Sequence, residues 1–378
     1  MYNSIKYTVI TTAVCGDFST EMTFTAMGKC VIINSREEVP TVERLSHLIA
    51  PYRSVSLIGM CKNAGKTTVL NQIIREETQN ATKLALTSIG RDGESKDLVT
   101  GTAKPGIYVP EGTLIATADQ MALRFCDVTK EILDTTDMST PLGPVVLLRA
   151  MSDGNVQLAG PSMTGQLAQL RERFFALGAE KVLIDGALSR KSLCGRHVSE
   201  ATILCTGASY HKNLQKVVED TAYYCRILTL PETADPAIRA LSDSEDRGIT
   251  VLTPDGSVPL TQTLEETLRK QAAKAVFFGG ALTDLVVKSL LMSSIPLQNL
   301  QFVVRDSSKI LLKADTFERL LRRGVRLQVI DSVNLVALTV NPFSAYGFHF
   351  DGRELKERMA QAVQLPVFDV MEGGLSWN

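Results

Sequence analysis

Gly65, Lys66, Thr67 and Thr68 stand in a row just before a segment of helical apolar spacing, and Gly59 ends the apolar run that precedes them. These residue types in this order suit the binding of a phosphate chain. Small residues let backbone N–H groups turn inward around an anion, an ammonium group neutralises it, and a hydroxyl in the first helical turn can hold a divalent cation. The stretch "SVSLIGMCKNAGKTTVLNQII", Ser54 to Ile74, therefore reads as strand, phosphate-binding loop and helix. The residues expected at the phosphates are Gly59, Asn63, Ala64, Gly65, Lys66, Thr67 and Thr68, with Thr67 also a ligand of Mg2+. The usual loop has four residues between its glycines. Here five separate Gly59 from Gly65, and in strict register Met60 takes the first-glycine position.

A loop that works on a triphosphate also needs a carboxylate at the end of a neighbouring strand to hold the metal. "EKVLIDGAL" ends an apolar run at Asp185, which is the candidate Walker B residue and second metal ligand. "LALTSIGRDGE" adds Asp92 and Glu94 just past the strand after the loop helix. They are candidates for metal contact or for orienting a water, although a solvated Asp-Gly turn has the same composition. Lys66, Asp185, Asp92 and Glu94 are thus the expected catalytic set. Arg190 and Lys191 could reach a terminal phosphate, and Cys61 inside the loop is either an activated thiol or a small residue that fits. The guanine-specifying Asn-Lys-x-Asp pattern is absent, so ATP with Mg2+ is the expected ligand.

The surrounding elements must position these groups. Apolar strand runs ("SVSLIG", "TKLALTSIG", "KVLIDGA", "EATILCTG", "YCRILTL") alternate with helical segments at 66–78, 163–177 and 210–223. "KPGIYVPEGTLIATA" reads as a hairpin and "GPVVLLRAMSDGNVQLAGP" as a strand pair. This alternation predicts an α/β fold with a mainly parallel sheet and helices on both faces. The polar linker "PETADPAIRALSDSEDRG" suggests a boundary near 235–248. The expected division is 1–50 as N-terminal strands and a helix, 51–235 as the nucleotide unit, and 248–378 as a second, smaller α/β unit. Met27 is an alternative start. All phosphate-binding elements fall within 54–232, so a fragment ending near 235 is expected to keep nucleotide binding. The second half offers "VFFGGALTD" and "TVNPFSAYGFHFD", either ordered connections or ligand loops, and no acid–base or cofactor motif.

The 378 residues are 44% hydrophobic and 21% charged, with net charge −1. No bulk field draws the chain to nucleic acid or anionic lipid, and no apolar run is long enough to span a membrane. Seven cysteines without CxxC spacing suit reduced thiols in a cytoplasmic protein.

The five-residue spacing resembles the deviant P-loops of the class containing dethiobiotin synthetase, MinD-like ATPases and the nitrogenase iron protein. The lysine that some members carry five residues before the main one is replaced here by Cys61, with Lys62 one place later. Through "CKNAGKTT", "LTSIGRDGE", "LIDGAL" and "TVNPFSAYGFHFDGREL", the chain as a whole resembles the P-loop subunit of reactivating factors for adenosylcobalamin-dependent aminomutases, of the lysine 5,6-aminomutase type. That resemblance implies ATP-driven exchange of damaged cobalamin on a protein partner, either the aminomutase or a second reactivase subunit. A homodimer is left open. The alternatives are a small-molecule synthetase, for which Lys104, Arg149 and Arg190 are the basic candidates beside the loop, and a nucleotide sensor with little turnover.

Overall fold

A computed structural model describes residues 21–24, 30–33, 44–90, 106–186, 198–242 and 247–371. The chain divides at Glu43/Arg44. In the first unit, β1 (Glu21–Phe24) and β2 (Cys30–Ile33) pair antiparallel.

The second unit opens with α1 (Leu45–Ile49), β3 (Ser54–Gly59), α2 (Lys66–Gln79) and β4 (Leu84–Ser88). Every residue of β3 and β4 is buried, as expected for parallel strands covered on both faces. Next come β5 (Ile107–Val109), β6 (Leu114–Ala118), α3 (Asp119–Arg124), β7 (Lys130–Thr140), β8 (Gly143–Ala150), β9 (Gly154–Val156) and α4 (Thr164–Ala176). The expected hairpin and strand pair are re-sorted here. β5 pairs with β9, β6 lies between β4 and β8, and β7 is an edge strand that the sequence reading did not identify.

β10 (Lys181–Asp185), β11 (Ala201–Gly207) and α5 (Leu214–Leu228) follow. "YCRILTL", expected as a strand, supplies the last turns of α5. Its apolar positions continue the helical series Val217, Val218, Thr221, Cys225, Leu228, and burial on more than one face hides that period.

The chain then leaves this sheet. α6 (Pro236–Ser242), β12 (Ile249–Thr253), β13 (Gly256–Pro259), α7 (Leu264–Lys270), β14 (Ala275–Phe278), β15 (Leu282–Thr283), α8 (Asp284–Met292), β16 (Gln301–Asp306), β17 (Ile310–Leu311), α9 (Ala314–Arg322) and β18 (Arg326–Asp331) build a second sheet and its cover. Its order is β13-β12-β14-β16-β18, parallel from β14 onward.

β19 (Leu335–Asn341), α10 (Gly352–Ala362) and β20 (Val367–Asp369) then return to the first sheet, which has nine strands in the order β20-β19-β11-β3-β10-β4-β6-β8-β7. All of its pairings from β20 to β6 are parallel, and the last two are antiparallel. The linear split into 51–235 and 248–378 therefore does not follow the sheets: the last two strands belong with the loop strand, and residues 236–331 interrupt the chain between α5 and β19.

Alternating side chains fill two layers. Val55, Leu57, Leu86, Leu183 and Ile203 pack with Leu70 and Ile73 of α2, while Val182 and Ile184 pack with Leu167 and Phe174 of α4. Ile58, Leu204 and Leu338 meet Val217 of α5 and Leu355 of α10. Helices thus cover both faces. A buried ion pair, Lys181 Nζ to Glu77 at 2.9 Å, ties β10 to α2, and the same ammonium donates to the Ile49 carbonyl at 2.9 Å.

Candidate functional site

β3 delivers the loop, and the strand order makes its end a special place. From β3 the chain winds one way through α2 to β4, with β10 filling the gap, and β11 then crosses to the other side of β3. The carboxyl end of β3 is the point of reversal, where open α/β sheets leave a crevice for ligands.

The backbone leaves the sheet at Gly59, and the Met60 N–H donates to the Cys205 carbonyl of β11 at 2.9 Å. Two left-handed residues, Asn63 (φ 59°) and Gly65 (φ 91°), turn the chain so that α2 begins at Lys66. Gly65 brings no capping side chain to the helix end, and the first turn contains no acidic residue. The positive end of the helix dipole is therefore left to a cation and two threonines, an arrangement that favours an anion. Ala64 is buried beneath the loop.

Lys66 folds back over the strand end. A Cβ on Gly59 would lie 3.2 Å from Lys66 Nζ, 3.3 Å from its Cδ and 3.3 Å from the Cys61 carbonyl oxygen. Burial pushes the Cys61 thiol up to about 11, with the Lys66 charge opposing the rise. Cys61 is thus a protonated small residue in the loop, and the activated-thiol reading loses its support.

Asp185 ends β10 next to the loop strand, in register with Leu57 of β3 and Ser88 of β4. It is 8% exposed, and its carbonyl accepts from Ile89 N–H at 2.9 Å. The neighbouring Gly186 N–H donates to the Leu57 carbonyl at 2.7 Å, and a Cβ there would overlap that oxygen, so the crossing requires glycine. Lys66 and Asp185 act on the same buried thiol: burial raises Cys205 to about 11, Lys66 lowers it and Asp185 raises it. Asp185 and Cys205 lie on the two strands that flank β3, in register with Leu57 and Gly59, so both stand near the end of the loop strand.

Asp92, Glu94, Lys104, Arg190 and Lys191 lie outside the described residues. Arg149 is in register with Leu114, the first residue of β6, and is paired with Glu131 at 2.7 Å. It stands at the amino end of β6 and is not beside the loop. "VFFGGALTD" closes β14 in the second sheet, where Asp284 accepts from Lys313 N–H at 3.0 Å.

Asn341 and Val370 also border the loop, and local sequence gave no sign of it. A Cβ on Gly65 would lie 3.4 Å from Asn341 Cβ and 3.6 Å from Val370 Cγ2. The Asn341 carbonyl accepts from Ala208 N–H at 2.9 Å, and its Oδ1 accepts from Phe343 N–H at 3.0 Å. Phe343 stacks on His349 with centroids 5.9 Å apart, and Phe343 and Tyr346 are 52% and 58% exposed. An aromatic turn thus stands at the carboxyl ends of β11 and β19. "TVNPFSAYGFHFD" marked this turn as a ligand-loop candidate, but only the β11–β19 pairing places it.

Among the described residues, no group of three or more His, Cys, Asp or Glu side chains could hold a metal ion. No helix among them is long and apolar enough to cross a membrane. Comparison of the chain with protein-family models, with curated proteins and with solved structures gave no match.

Proposed function

We propose that the protein is a P-loop nucleotide-binding protein of the deviant class, which binds Mg–ATP at residues 59–68 and hydrolyses it while acting on a protein partner. The observation that carries this reading is the Lys66 ammonium folded over Gly59, at a helix end with no acidic residue, on the strand where the sheet reverses. The donor set fits a phosphate chain: backbone N–H groups of 63–68 and the Lys66 ammonium would receive its oxygens. Thr67 and Asp185 offer one hydroxyl and one carboxylate. This suits a Mg2+ that keeps phosphate and water in its shell. Mg2+ supplies charge neutralisation on the phosphates. Lys66 would stabilise charge on the phosphate being transferred, and Asp185 would hold the metal side of the site in place. Asn341 and the aromatic turn are the side of the site left for an adenine base.

The partner proposed from the resemblance is an adenosylcobalamin-dependent aminomutase or a second reactivase subunit. The synthetase alternative is weakened because Arg149 is committed to Glu131 away from the loop. The free thiols of Cys61, Cys126, Cys205 and Cys225 suit a cytoplasmic setting. The test is calorimetric titration with Mg–ATP and Mg–GTP, then phosphate release with and without an adenosylcobalamin-dependent aminomutase. Micromolar ATP binding and partner-stimulated release are expected. Absence of binding rejects the nucleotide reading, and binding without release under either condition rejects hydrolysis.

A further inference from the structure

Residues 236–331 are entered from α5 and left through β19; the end of β19 and the residues that lead into α5 lie beside the phosphate loop. β19 starts just after Ser332, whose N–H and hydroxyl both donate to Glu232, at 3.3 and 2.7 Å. It ends at Asn341, in contact distance of Gly65. At about 3.3 Å per residue, this is a strut of about 20 Å. α5 starts beyond residues 208–213, where Ala208 is bonded to Asn341 and Tyr210 packs with Met60 into one apolar cluster.

The same helix belongs to two cores. Val217, Val218, Cys225 and Leu228 are buried with β11 and β19 of the first sheet. Ile227, and Leu230 just past the helix, are buried in the core of the second sheet, with Tyr223 packed against it. The Tyr223 hydroxyl donates to the Leu312 carbonyl at 2.5 Å, and its ring meets Phe317 edge-on with centroids 5.5 Å apart. Arg226 pairs with Glu318 and lies 5.1 Å over the Phe317 ring. Close-packed cores resist continuous deformation, so a shift of α5 against one sheet is passed to the other. The two crossing connections are laced by Thr233 N–H to the Val329 carbonyl (2.8 Å) and Val329 N–H to the Pro231 carbonyl (3.0 Å). Beside them is a cleft of about 340 Å³, lined by residues including Leu230, Glu232, Asn334 and Leu335.

We propose that α5 and β19 couple nucleotide occupancy of the phosphate loop to the hold of α5 on the inserted segment. Occupancy fixes the loop against Asn341 and residues 208–213, and the contacts of Tyr223 and Arg226 with α9 tighten at the other end. The coupling rests on the nucleotide reading above, and its test separates the two. Full-length protein is followed by hydrogen-exchange mass spectrometry with and without Mg2+ and a slowly hydrolysed ATP analogue, alongside calorimetry with the same analogue. Peptides covering 229–235 and 312–323 are expected to exchange about fivefold more slowly with nucleotide. Coupling is reciprocal, so Tyr223→Phe and Arg226→Ala are each expected to weaken nucleotide binding about fivefold, although neither residue touches the loop. Absence of nucleotide binding to the unaltered protein overturns both proposals. Binding with unchanged exchange, or variants that lower Tm but keep nucleotide affinity, overturns the coupling alone and leaves these contacts as structural.

Discussion

Replacing Gly59 with alanine puts a methyl group where Lys66 lies. The added carbon would stand 3.2 Å from Nζ, 3.3 Å from Cδ and 3.3 Å from the Cys61 carbonyl. All three distances are shorter than the ~3.5–4.0 Å optimum of carbon contacts. Gly59 is not among the positive-φ residues, so alanine meets no backbone strain there, and lower chain entropy in the unfolded state returns about 0.4–1 kcal/mol. Of the two neighbours, the lysine end is flexible and the Cys61 carbonyl is not, so the lysine gives way. Stability should change by less than about 1 kcal/mol. Affinity should change more. A charge-assisted hydrogen bond is worth about 1.5–3 kcal/mol, which is roughly 10- to 150-fold in Kd. Lys66→Ala should forfeit that whole amount, and Gly59→Ala, which only displaces the group, about tenfold. The assay is calorimetric titration of the unaltered protein, both single variants and the double variant with Mg2+ and a slowly hydrolysed ATP analogue. Because Gly59→Ala acts through the lysine, it should cost nothing further in the Lys66→Ala background. An equal loss in both backgrounds would show that the methyl disturbs something else. Unchanged affinity in Lys66→Ala would remove the phosphate reading altogether.

Asp185→Asn should keep nucleotide affinity within a few-fold but lower turnover about 10²-fold, because the lost interaction strengthens in the transition state; equal turnover in a phosphate-release assay would shift the role to Asp92 or Glu94. Lys181→Met should lower stability by about 3–5 kcal/mol by leaving the buried Glu77 carboxylate without its ion-pair partner, and Glu77→Leu added to it should restore most of the loss; urea unfolding midpoints decide this. Burial holds Cys61 and Cys205 near 11, above the ordinary 9.0, so the folded state keeps their protons longer than the unfolded one. Their contribution is full below pH 9.0 and is lost as pH rises toward about 11; correspondingly, iodoacetamide modification of Cys61 should still be accelerating at pH 10, and a plateau near neutrality would contradict the burial argument. A fragment ending at 235 should fail to bind nucleotide, because it lacks β19, which pairs with β11, and β20, which pairs with β19, and with them the Asn341 and Val370 that border Gly65; a chain with 236–331 replaced by a short linker should bind measurably in the same titration, and the reverse ranking would refute the importance of the returning strands.

The strands that position the site were legible because they are buried on both faces. "SVSLIG", "KVLIDGA" and "EATILCTG" are apolar runs broken only by small hydroxyl residues and by charges at their ends, and β3, β10 and β11 fall on them with every residue buried. Double burial also misleads. The last turns of α5 face two cores, so "YCRILTL" shows no polar stripe and reads as a strand. β7 fails in the opposite direction: it is a half-exposed edge strand of mixed polarity with two register irregularities, so neither a period of two nor an apolar run identifies it.

The candidate site was legible only as far as it is local. Gly59, Lys66, Thr67 and the Asp185 strand end are each recognisable within one strand and its turn, and the fold sets the strand that ends in Asp185 directly beside the loop strand. The surroundings of Gly65 are not local at all. They depend on β19 pairing with β11 after the whole of 236–331 has intervened, a relation carried by tertiary packing and by no short-range pattern. The polar linker after α5 is a true departure from the first sheet, but a one-dimensional reading has no means of showing that the chain comes back. Because the insertion separates two adjacent strands, its own ends are constrained to lie side by side. The loop that would hold the phosphates is therefore built from contiguous residues but is framed by Asn341 and Val370, which lie on the far side of the insertion.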